Sequence, residues 1–221
     1  MRIAMFGVTG TCGAPVLAAT LDAGHEVRVL ARAPHKVARA DARVTPGDAL
    51  DRAAVATTVA GCDAVLSTLG GFRGPASLSV GMRNILSAMD EHGVRRLVAL
   101  QGIHLRLPQD RVNLGQRLIG AVMRVAGPAL VSHGEAMVHE LLTSEVDWTL
   151  VRIPRATDAG PTGNARIGAL RLGPWSHVTT GDVAATMLAL VSTPDHVHAA
   201  PMLASGAQRP VAGGAPARPI T

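Results

Sequence analysis

The sequence predicts an α/β fold, a doubly wound parallel sheet within a single domain. Short apolar runs alternate with amphipathic stretches along the 221 residues, which is typical of parallel strands joined by helices. Hydrophobic residues make up 48% of the chain and charged residues 17%, so the chain can bury a substantial core and disorder is excluded. A glycine-rich turn directly follows the first apolar run, as at the start of many dinucleotide-binding sheets.

In the amino-terminal third, apolar runs predict strands at residues 2–6, 26–30, around 44 and at 63–67. Helices are predicted between them at residues 12–23 and 51–60. Gly24 is a typical residue just after a helix end, and Asp51 is a typical N-cap. The Gly47-Asp48 turn ends the third strand.

Further along, a helix at residues 77–92 closed by Gly93 precedes a strand at 96–101. Residues 108–144 have a helical pattern broken around Gly127-Pro128, which predicts two helices. A sixth strand at 148–152, a helix at 180–191 and a last strand at 200–203 complete the prediction. We predict one domain at residues 1–204, with a small substrate lobe after Pro154, and a flexible tail rich in Gly, Pro and Ala at 205–221.

The charge pattern argues against a nucleic-acid partner. The formal net charge is +5, but the basic residues are scattered, with Arg95-Arg96 the only adjacent pair, and aromatic residues make up 2% of the chain. No apolar run approaches the roughly 20 residues that a membrane span needs. Two cysteines are too few for a disulfide scaffold, so we expect a soluble cytoplasmic protein.

The glycine turn predicts a dinucleotide site in a Rossmann-like sheet. Its sequence is Gly7-Val8-Thr9-Gly10-Thr11-Cys12-Gly13, between the first strand and the first helix. Glycines let the backbone approach a pyrophosphate, which binds the free N–H groups at a helix N-terminus. The spacing differs from the usual G-x-G-x-x-G pattern, and the alternative is a tight turn that binds nothing.

The end of the second strand favours NADP(H) over NAD(H). An NAD site needs an Asp or Glu about 20 residues after the loop, and here Leu30 is followed by Ala31 and Arg32, with no acid before Asp41. Arg32 can pair with a 2′-phosphate, assisted by His35 and Lys36. The alternative is that Arg32 is a solvated surface residue.

Blocks spread over residues 2–203 carry a resemblance to a known family. They read GVTGTCG, HEV leading to LAR, PGD, VAGCDAVLSTLG, MRNILSAMDEHGVRRLVAL, VDWTLVRIPRATD and TTGDVAATML. In this order the chain resembles an atypical short-chain dehydrogenase/reductase of the NAD(P)-binding, NmrA-like group. Within that group it is most similar to the flavin reductase/biliverdin-IXβ reductase type.

The glycine turn and the resemblance together imply a set of cofactor contacts. The set comprises Gly7, Thr9, Gly10, Thr11, Cys12, Gly13, Arg32, Asp48, Ala49, Leu69, Gly70 and Pro154. The turn would hold the pyrophosphate and Arg32 the 2′-phosphate, with Asp48 and Ala49 beside the adenine. Leu69 and Gly70 would line the ribose and nicotinamide, and Pro154 would border the nicotinamide ring. Alternatively, Asp48 caps a turn.

Catalysis cannot follow the usual short-chain dehydrogenase scheme, which uses a Tyr-x-x-x-Lys pair. The chain has no tyrosine, and Lys36 is its only lysine. The flavin and biliverdin reductases also lack the pair, and the resemblance implies catalysis by placing a flat substrate against the nicotinamide.

Three residues are the catalytic candidates. Gln101-Gly102 stands where these relatives usually carry a serine after the fifth strand, and Arg155 replaces a histidine often found after the sixth. Gln101 can orient a carbonyl, and Arg155 can stabilise negative charge. His104 is the candidate general acid, with a pocket-lining loop histidine as the alternative. No metal-ligand spacing is present, so we expect no metal.

We therefore expect an NADPH-dependent reductase of a small flat or conjugated molecule such as a quinone, flavin or enone. Two alternatives share the fold: a dinucleotide sensor without catalysis, or an isomerase or cyclase of a natural-product pathway. The expected partner is a small-molecule substrate, and the expected state is a monomer or weak homodimer.

Overall fold

The computed structural model describes residues 1–70, 74–107, 110, 114–173, 175–206 and 218–219. Within these ranges the strands are β1 Arg2–Phe6, β2 Glu26–Ala31, β3 Arg43–Pro46, β4 Ala64–Ser67, β5 Arg96–Gly102, β6 Asp147–Ile153, β7 Arg155–Thr157, β8 Arg166–Gly168, β9 His177–Thr179, β10 Met202–Ala204 and β11 Arg218–Pro219. The helices are α1 Gly13–Asp22, α2 Arg52–Val59, α3 Ala76–Glu91, α4 Leu114–Ala126, α5 Pro128–Thr143 and α6 Thr180–Val191, with a short 3₁₀ turn at Pro34–Lys36.

Nine strands form one sheet in the order β11-β8-β10-β6-β5-β4-β1-β2-β3. Strands β1 to β6 and β10 run parallel, and β8 pairs antiparallel with both β10 and β11. Strands β7 and β9 form a separate parallel pair. The predicted doubly wound parallel sheet is confirmed. At the side of the sheet formed by β10, β8 and β11, parallel and antiparallel pairing are mixed.

Both faces of the sheet are covered, which explains the continuous apolar runs. In β1, Ile3 and Met5 join the cluster beneath α1 and α6, whereas Ala4 and Phe6 join the cluster beneath α2, α3 and α5. All four side chains are almost completely buried. A strand that is buried on both sides therefore loses the alternation that an exposed face would give it.

The predicted helix ends are confirmed in detail. Gly24 and Gly93 follow α1 and α3 with φ of +80° and +67°, a region in which a side chain is strained. Asp51 caps α2 by accepting hydrogen bonds from the backbone N–H groups of Ala53 and Ala54, at 2.9 and 3.2 Å. The helix predicted at residues 180–191 has the bounds Thr180–Val191 in the structure.

The differences from the prediction lie mainly after β5. Of the helical stretch predicted at 108–144, residues 108–109 and 111–113 lie outside the described residues, and α4 is described from Leu114. The strand predicted at 200–203 lies at Met202–Ala204. Three-residue strands β7, β8 and β9 were not predicted, because runs this short carry no readable periodicity. The predicted substrate lobe is therefore partly sheet: β8 and β10 extend the main sheet and β7 pairs with β9. Of the predicted tail, 207–217 and 220–221 lie outside the described residues, and Arg218–Pro219 pairs with β8.

A buried carboxylate ties this carboxyl-terminal region together. Asp182 lies in the first turn of α6 and is 2% exposed. Its carboxylate accepts hydrogen bonds from the Thr162 N–H and hydroxyl, both at 2.7 Å, and from the Ser205 hydroxyl. Burial alone would raise the pKa of Asp182, but the hydrogen bonds from Ser205 and Thr162 outweigh it and hold the pKa below its ordinary value. The carboxylate thus joins α6, the segment before β8 and the residue after β10.

We predict that Asp182→Asn lowers the free energy of unfolding at pH 7 by roughly 2–3 kcal/mol, because buried donors lose a charged acceptor. The folded state binds this proton less readily than the unfolded chain. The stabilisation is therefore complete above the unfolded pKa of about 3.9 and is lost as the pH falls through the lower folded pKa. Urea unfolding at several pH values measures the difference between the two proteins.

The matched control is Asp90→Asn, at an exposed position near the end of α3. It should change the free energy of unfolding by less than about 0.5 kcal/mol. Equal losses in the two variants, or an Asp182→Asn loss that persists unchanged into strong acid, would contradict this assignment.

Candidate active site

A cavity of about 820 Å³ lies where the strand order of the sheet reverses. From β1 the chain proceeds through β2 to β3 on one side, and through β4 to β5 and β6 on the other. The loops after β1 and β4 therefore separate at the carboxyl edge and leave a crevice. Ligands of open α/β sheets bind at such a switch point.

Every predicted site residue except Gly13 lines this cavity. The lining contains Gly7, Thr9, Gly10, Thr11, Cys12, Arg32, Asp48, Ala49, Leu69, Gly70, Gln101, His104, Pro154 and Arg155. The ends of six parallel strands, β1 to β6, and the loops after them thus bring together residues that are up to 148 positions apart in the sequence (from 7 to 155).

The glycine turn forms a cradle in which side chains have no room. Gly7 has a φ of +81°, and a Cβ there would lie 2.5 Å from the backbone carbonyl carbon of Thr68. The Gly10 N–H donates to the Gly7 carbonyl at 3.1 Å, which closes the turn. Helix α1 then begins at Gly13, and first-turn N–H groups of a helix have no acceptor within the helix. This arrangement fits a pyrophosphate.

Gly13 supports the turn from behind. A Cβ at Gly13 would lie 2.8 Å from the Thr68 hydroxyl oxygen, so its missing side chain lets α1 approach the end of β4. Thr68 itself donates from its hydroxyl to the Phe6 carbonyl at 3.0 Å and so joins β1 to the end of β4.

Cys12 lies at the N-cap of α1, half-buried in the cavity wall. Burial raises the pKa of the Cys12 thiol, so the group is neutral at pH 7. A neutral thiol places no negative charge beside a site shaped for phosphate.

Arg32 follows β2 and remains accessible, with 64% of its side chain exposed. Its Nε lies 3.8 Å from Asp48 Oδ2. Asp48 also accepts a hydrogen bond from the Leu50 N–H at 3.0 Å, so the turn-capping role weighed from the sequence is present. Among the described residues this contact, through Nε alone, is the one that Arg32 makes with a carboxylate, so its terminal nitrogens can meet a further anion.

Gln101, at the end of β5, is 8% exposed. Its Nε2 donates to the Leu69 carbonyl at 3.0 Å, which fixes the loop after β4 beside β5. Gln101 therefore shapes the cavity wall through its amide group as well as lining it.

His104 is the most unusual polar group in the cavity. Its Nε2 is buried and has no hydrogen-bond partner in the part of the chain that the structure describes. The imidazole ring packs directly over Gly102, two residues earlier in the chain. A Cβ on Gly102 would lie 2.5 Å from His104 Nδ1. Burial lowers the pKa of His104 below its ordinary value of 6.5, so the ring is mainly neutral at pH 7.

The far end of the cavity is apolar with a cation at its border. Arg155 is exposed, and none of the described carboxylates lies within ion-pair distance of it. The apolar lining that sequence reasoning missed comprises Ile103, Met123, Leu130 and Ile153. Met123 and Leu130 reach the site from α4 and α5, on either side of the predicted break at Gly127-Pro128, which was the available signal.

Two negative findings apply to the described residues. Each helix there falls short of the length and apolar character that crossing a bilayer requires. Nor do three or more His, Cys, Asp or Glu side chains come together as metal ligands in those ranges.

Solved structures share this fold at low sequence identity. The oxidoreductase ylbE from Lactococcus lactis superposes with a TM-score of 0.78 at 19% identity, covering 93% of this chain and 91% of that one. ChuY from Escherichia coli O157:H7, described as an anaerobilin reductase, gives 0.77 at 22% identity, covering 96% and 100%. A Rossmann-fold NAD(P)-binding family protein from Shigella flexneri gives 0.70 at 18%, covering 94% and 95%.

A family profile gives the assignment that these structures cannot. The profile described as NAD(P)H-binding matches residues 7–194, from the glycine turn to just beyond α6. Together with the cradle at the strand-order switch, this match shows that the chain belongs to the NAD(P)H-binding family.

Proposed function

We propose that the protein is an NADPH-dependent reductase of a small flat or conjugated molecule of the quinone, flavin or enone type. The observation that carries the proposal is one continuous cavity that runs from a phosphate cradle to an apolar end. At that end stands His104, whose Nε2 has no hydrogen-bond partner among the described residues. The order of the sequence blocks supports the finer placement in the NmrA-like group.

The cradle and the residues beyond it provide a complete set of contacts for a nicotinamide dinucleotide. The turn at residues 7–12 would hold the pyrophosphate, and Ala49 and Asp48 would border the adenine. Leu69, Gly70 and Pro154 would surround the nicotinamide end. When bound, the cofactor supplies a hydride, and the protein supplies its orientation.

The proposed preference for NADP(H) rests on charge. Arg32 presents a guanidinium at the end of β2, with more than half of its side chain exposed to a ligand. Guanidinium–phosphate contacts are charge-assisted and can be bidentate. Asp48 partly balances this cation at 3.8 Å, which keeps the side chain near the adenine end without closing it off.

The substrate end favours a flat apolar molecule. Ile103, Met123 and Leu130 offer no hydrogen-bonding groups, so a polar, strongly hydrated substrate would lose its water without replacement. Arg155 at the border can attract an anionic substituent or stabilise negative charge that develops during reduction.

His104 is the proposed proton donor or hydrogen-bond donor to the reduced substrate. Its orphaned Nε2 faces a desolvated environment in which one unmade hydrogen bond costs about 1–3 kcal/mol, so a substrate oxygen that satisfies it gains that amount. The lowered pKa means that the charged ring is scarce at pH 7. Donation then comes from the small protonated fraction, which decreases further as the pH rises.

We predict that Arg32→Ala weakens NADPH binding roughly tenfold and leaves NADH binding unchanged, because only NADPH carries the 2′-phosphate. Fluorescence titration with NADPH, NADP⁺, NADH and NAD⁺ measures the change. Arg43→Ala is the matched control, because Arg43 is also exposed but lies at the amino-terminal end of β3, away from the cavity at the carboxyl ends of the strands. Equal loss for NADPH and NADH would contradict the role of Arg32, and a marked preference for oxidised cofactors would favour the sensor.

We predict that His104→Gln lowers kcat about 10²-fold with at least one of menadione, FMN and 2-cyclohexenone, the typical contribution of a positioned proton donor. Because the folded pKa lies below 6.5, wild-type turnover should fall as the pH rises through that lower value. The variant should show no such dependence. His92→Gln, at the exposed C-cap of α3, is the control. Unchanged turnover and pH profile in His104→Gln would identify His104 as a lining residue only.

A further inference from the structure

We propose that Arg152 is a positioning residue that holds the turn at residues 102–105 so that the His104 ring stands over Gly102. This inference rests on the proposed function of His104. It assigns a role to a buried cation that is not itself among the residues lining the cavity.

His104 belongs to a tight turn that has few bonds of its own. The Leu105 N–H donates to the Gly102 carbonyl at 3.2 Å, so residues 102–105 form a β-turn with His104 in its third position. The Ile103 N–H donates to the Ile153 carbonyl at 2.9 Å and joins the turn to β6. Beyond Leu105 the chain leaves the sheet, and backbone pairing with a strand no longer fixes it.

Arg152 supplies the missing attachment. Its side chain is 4% exposed at the end of β6. Nη1 donates to the Leu105 carbonyl at 3.2 Å, directly after His104. Nε and Nη2 donate to the Ala200 carbonyl at 3.0 and 2.6 Å. One rigid guanidinium therefore joins β6, the approach to β10 and the His104 turn.

Asp110, further along the chain, also bonds to Arg152 and so completes the attachment. Its carboxylate receives both terminal nitrogens of Arg152, with Nη2 to Oδ1 at 2.9 Å. The same carboxylate accepts the Leu107 N–H at 2.8 Å. Leu105 and Leu107 are themselves buried, at 1% and 4% exposure. The bidentate pair thus fixes the backbone at both leucines, through the Leu105 carbonyl and the Leu107 N–H.

The geometry at Gly102 shows why this position matters for the ring. A Cβ at residue 102 would lie 2.5 Å from Nδ1 and 2.7 Å from Cε1 of His104. The ring occupies the space in which residue 102 would otherwise carry a side chain. If the turn moves, the imidazole leaves this space and gains water.

Three described charged residues, Arg32, Asp48 and Arg155, line the same cavity as His104. Arg106 follows two positions later, and the Arg152–Asp110 pair holds the next residue, Leu105. The pair is neutral as a unit, but Arg152→Met leaves the carboxylate, which favours a charged ring, and Asp110→Asn leaves the guanidinium, which disfavours it. Charge alone would therefore move the pKa of His104 in opposite directions in the two variants, whereas movement of the ring into water raises it in both. Burial is the cause of the lowered pKa of His104, so this pKa reports whether the ring stays in place.

The chain offers a matched control in a half-buried arginine that also bonds to backbone carbonyls. Arg96, at the opposite end of the sheet, donates to the Leu190 carbonyl at 3.1 and 2.7 Å and to the Asp147 carbonyl at 2.7 Å. Arg96→Met should destabilise the fold as Arg152→Met does. Arg96, however, is the first residue of β5, at the end of the strand away from the His104 turn.

The experiment measures two quantities in the full chain: the pKa of His104 by NMR, assigned with His104→Gln, and turnover with NADPH and menadione, FMN or 2-cyclohexenone. In Arg152→Met we expect the pKa to move up towards 6.5 and kcat to fall at least tenfold, while KM for NADPH stays within about twofold. Arg152→Lys should recover only part of kcat, because an ammonium cannot bridge the carboxylate and both carbonyls. Arg96→Met should leave the pKa and kcat in place.

Two further variants keep the test informative if Arg152→Met fails to fold. Asp110→Asn removes the negative charge of the carboxylate, keeps its shape and leaves the Arg152 guanidinium without its counter-ion. Gly102→Ala displaces the ring without touching the pair. Both should raise the pKa of His104 and lower kcat. The inference is overturned if the pKa of His104 stays at its wild-type value in folded Arg152→Met or Asp110→Asn, or if Arg96→Met has the same effects.

The two proposals fail differently. If His104→Gln leaves turnover unchanged, the catalytic role of His104 is wrong, yet the NMR measurement still decides whether Arg152 holds the ring. If His104→Gln lowers turnover and the Arg152 variants change neither kcat nor the pKa, only the positioning role is wrong.

Discussion

The close contact between the turn after β1 and the end of β4 is the constraint on which the site depends. Gly7 and Gly13 both meet Thr68 at distances that no Cβ would permit, and Thr68 in turn bonds to Phe6. This contact lies where the strand order reverses, so the two neighbouring loops separate immediately above it. The cavity therefore has a rigid floor at its phosphate end and diverging walls at its substrate end.

The two ends of the cavity are stabilised by different means. Backbone geometry builds the phosphate end, and it needs small residues rather than charged ones. The substrate end lies among loops and short strands, where pairing with the sheet is limited, so buried polar groups connect the segments. Arg152 joins three of them and Asp182 another three, each with its hydrogen bonds satisfied. Burying an unpaired charge there would cost several kcal/mol.

The regular core of the sheet and the short segments at the substrate end also differ in how well the sequence predicts them. The core strands and helices were predictable because strands buried on both faces give continuous apolar runs and because Gly24, Gly93 and Asp51 mark helix ends. The cavity lining was predictable because chemistry-bearing residues follow strand ends, although Gly13 lies behind the turn rather than in the cavity. The three-residue strands β7 to β9 and the Arg152–Asp110 pair were not, because pairing between distant short segments leaves no local pattern.

Under the proposed function one cavity orients a nicotinamide against a flat acceptor, and NADPH carrying deuterium at one or the other C4 position tests this orientation most directly. A fixed orientation exposes one face of the ring, so deuterium at only one of the two positions should slow NADPH oxidation by menadione, FMN or 2-cyclohexenone. Tight NADPH binding with no oxidation by any of the three, or equal slowing from both positions, would contradict the account.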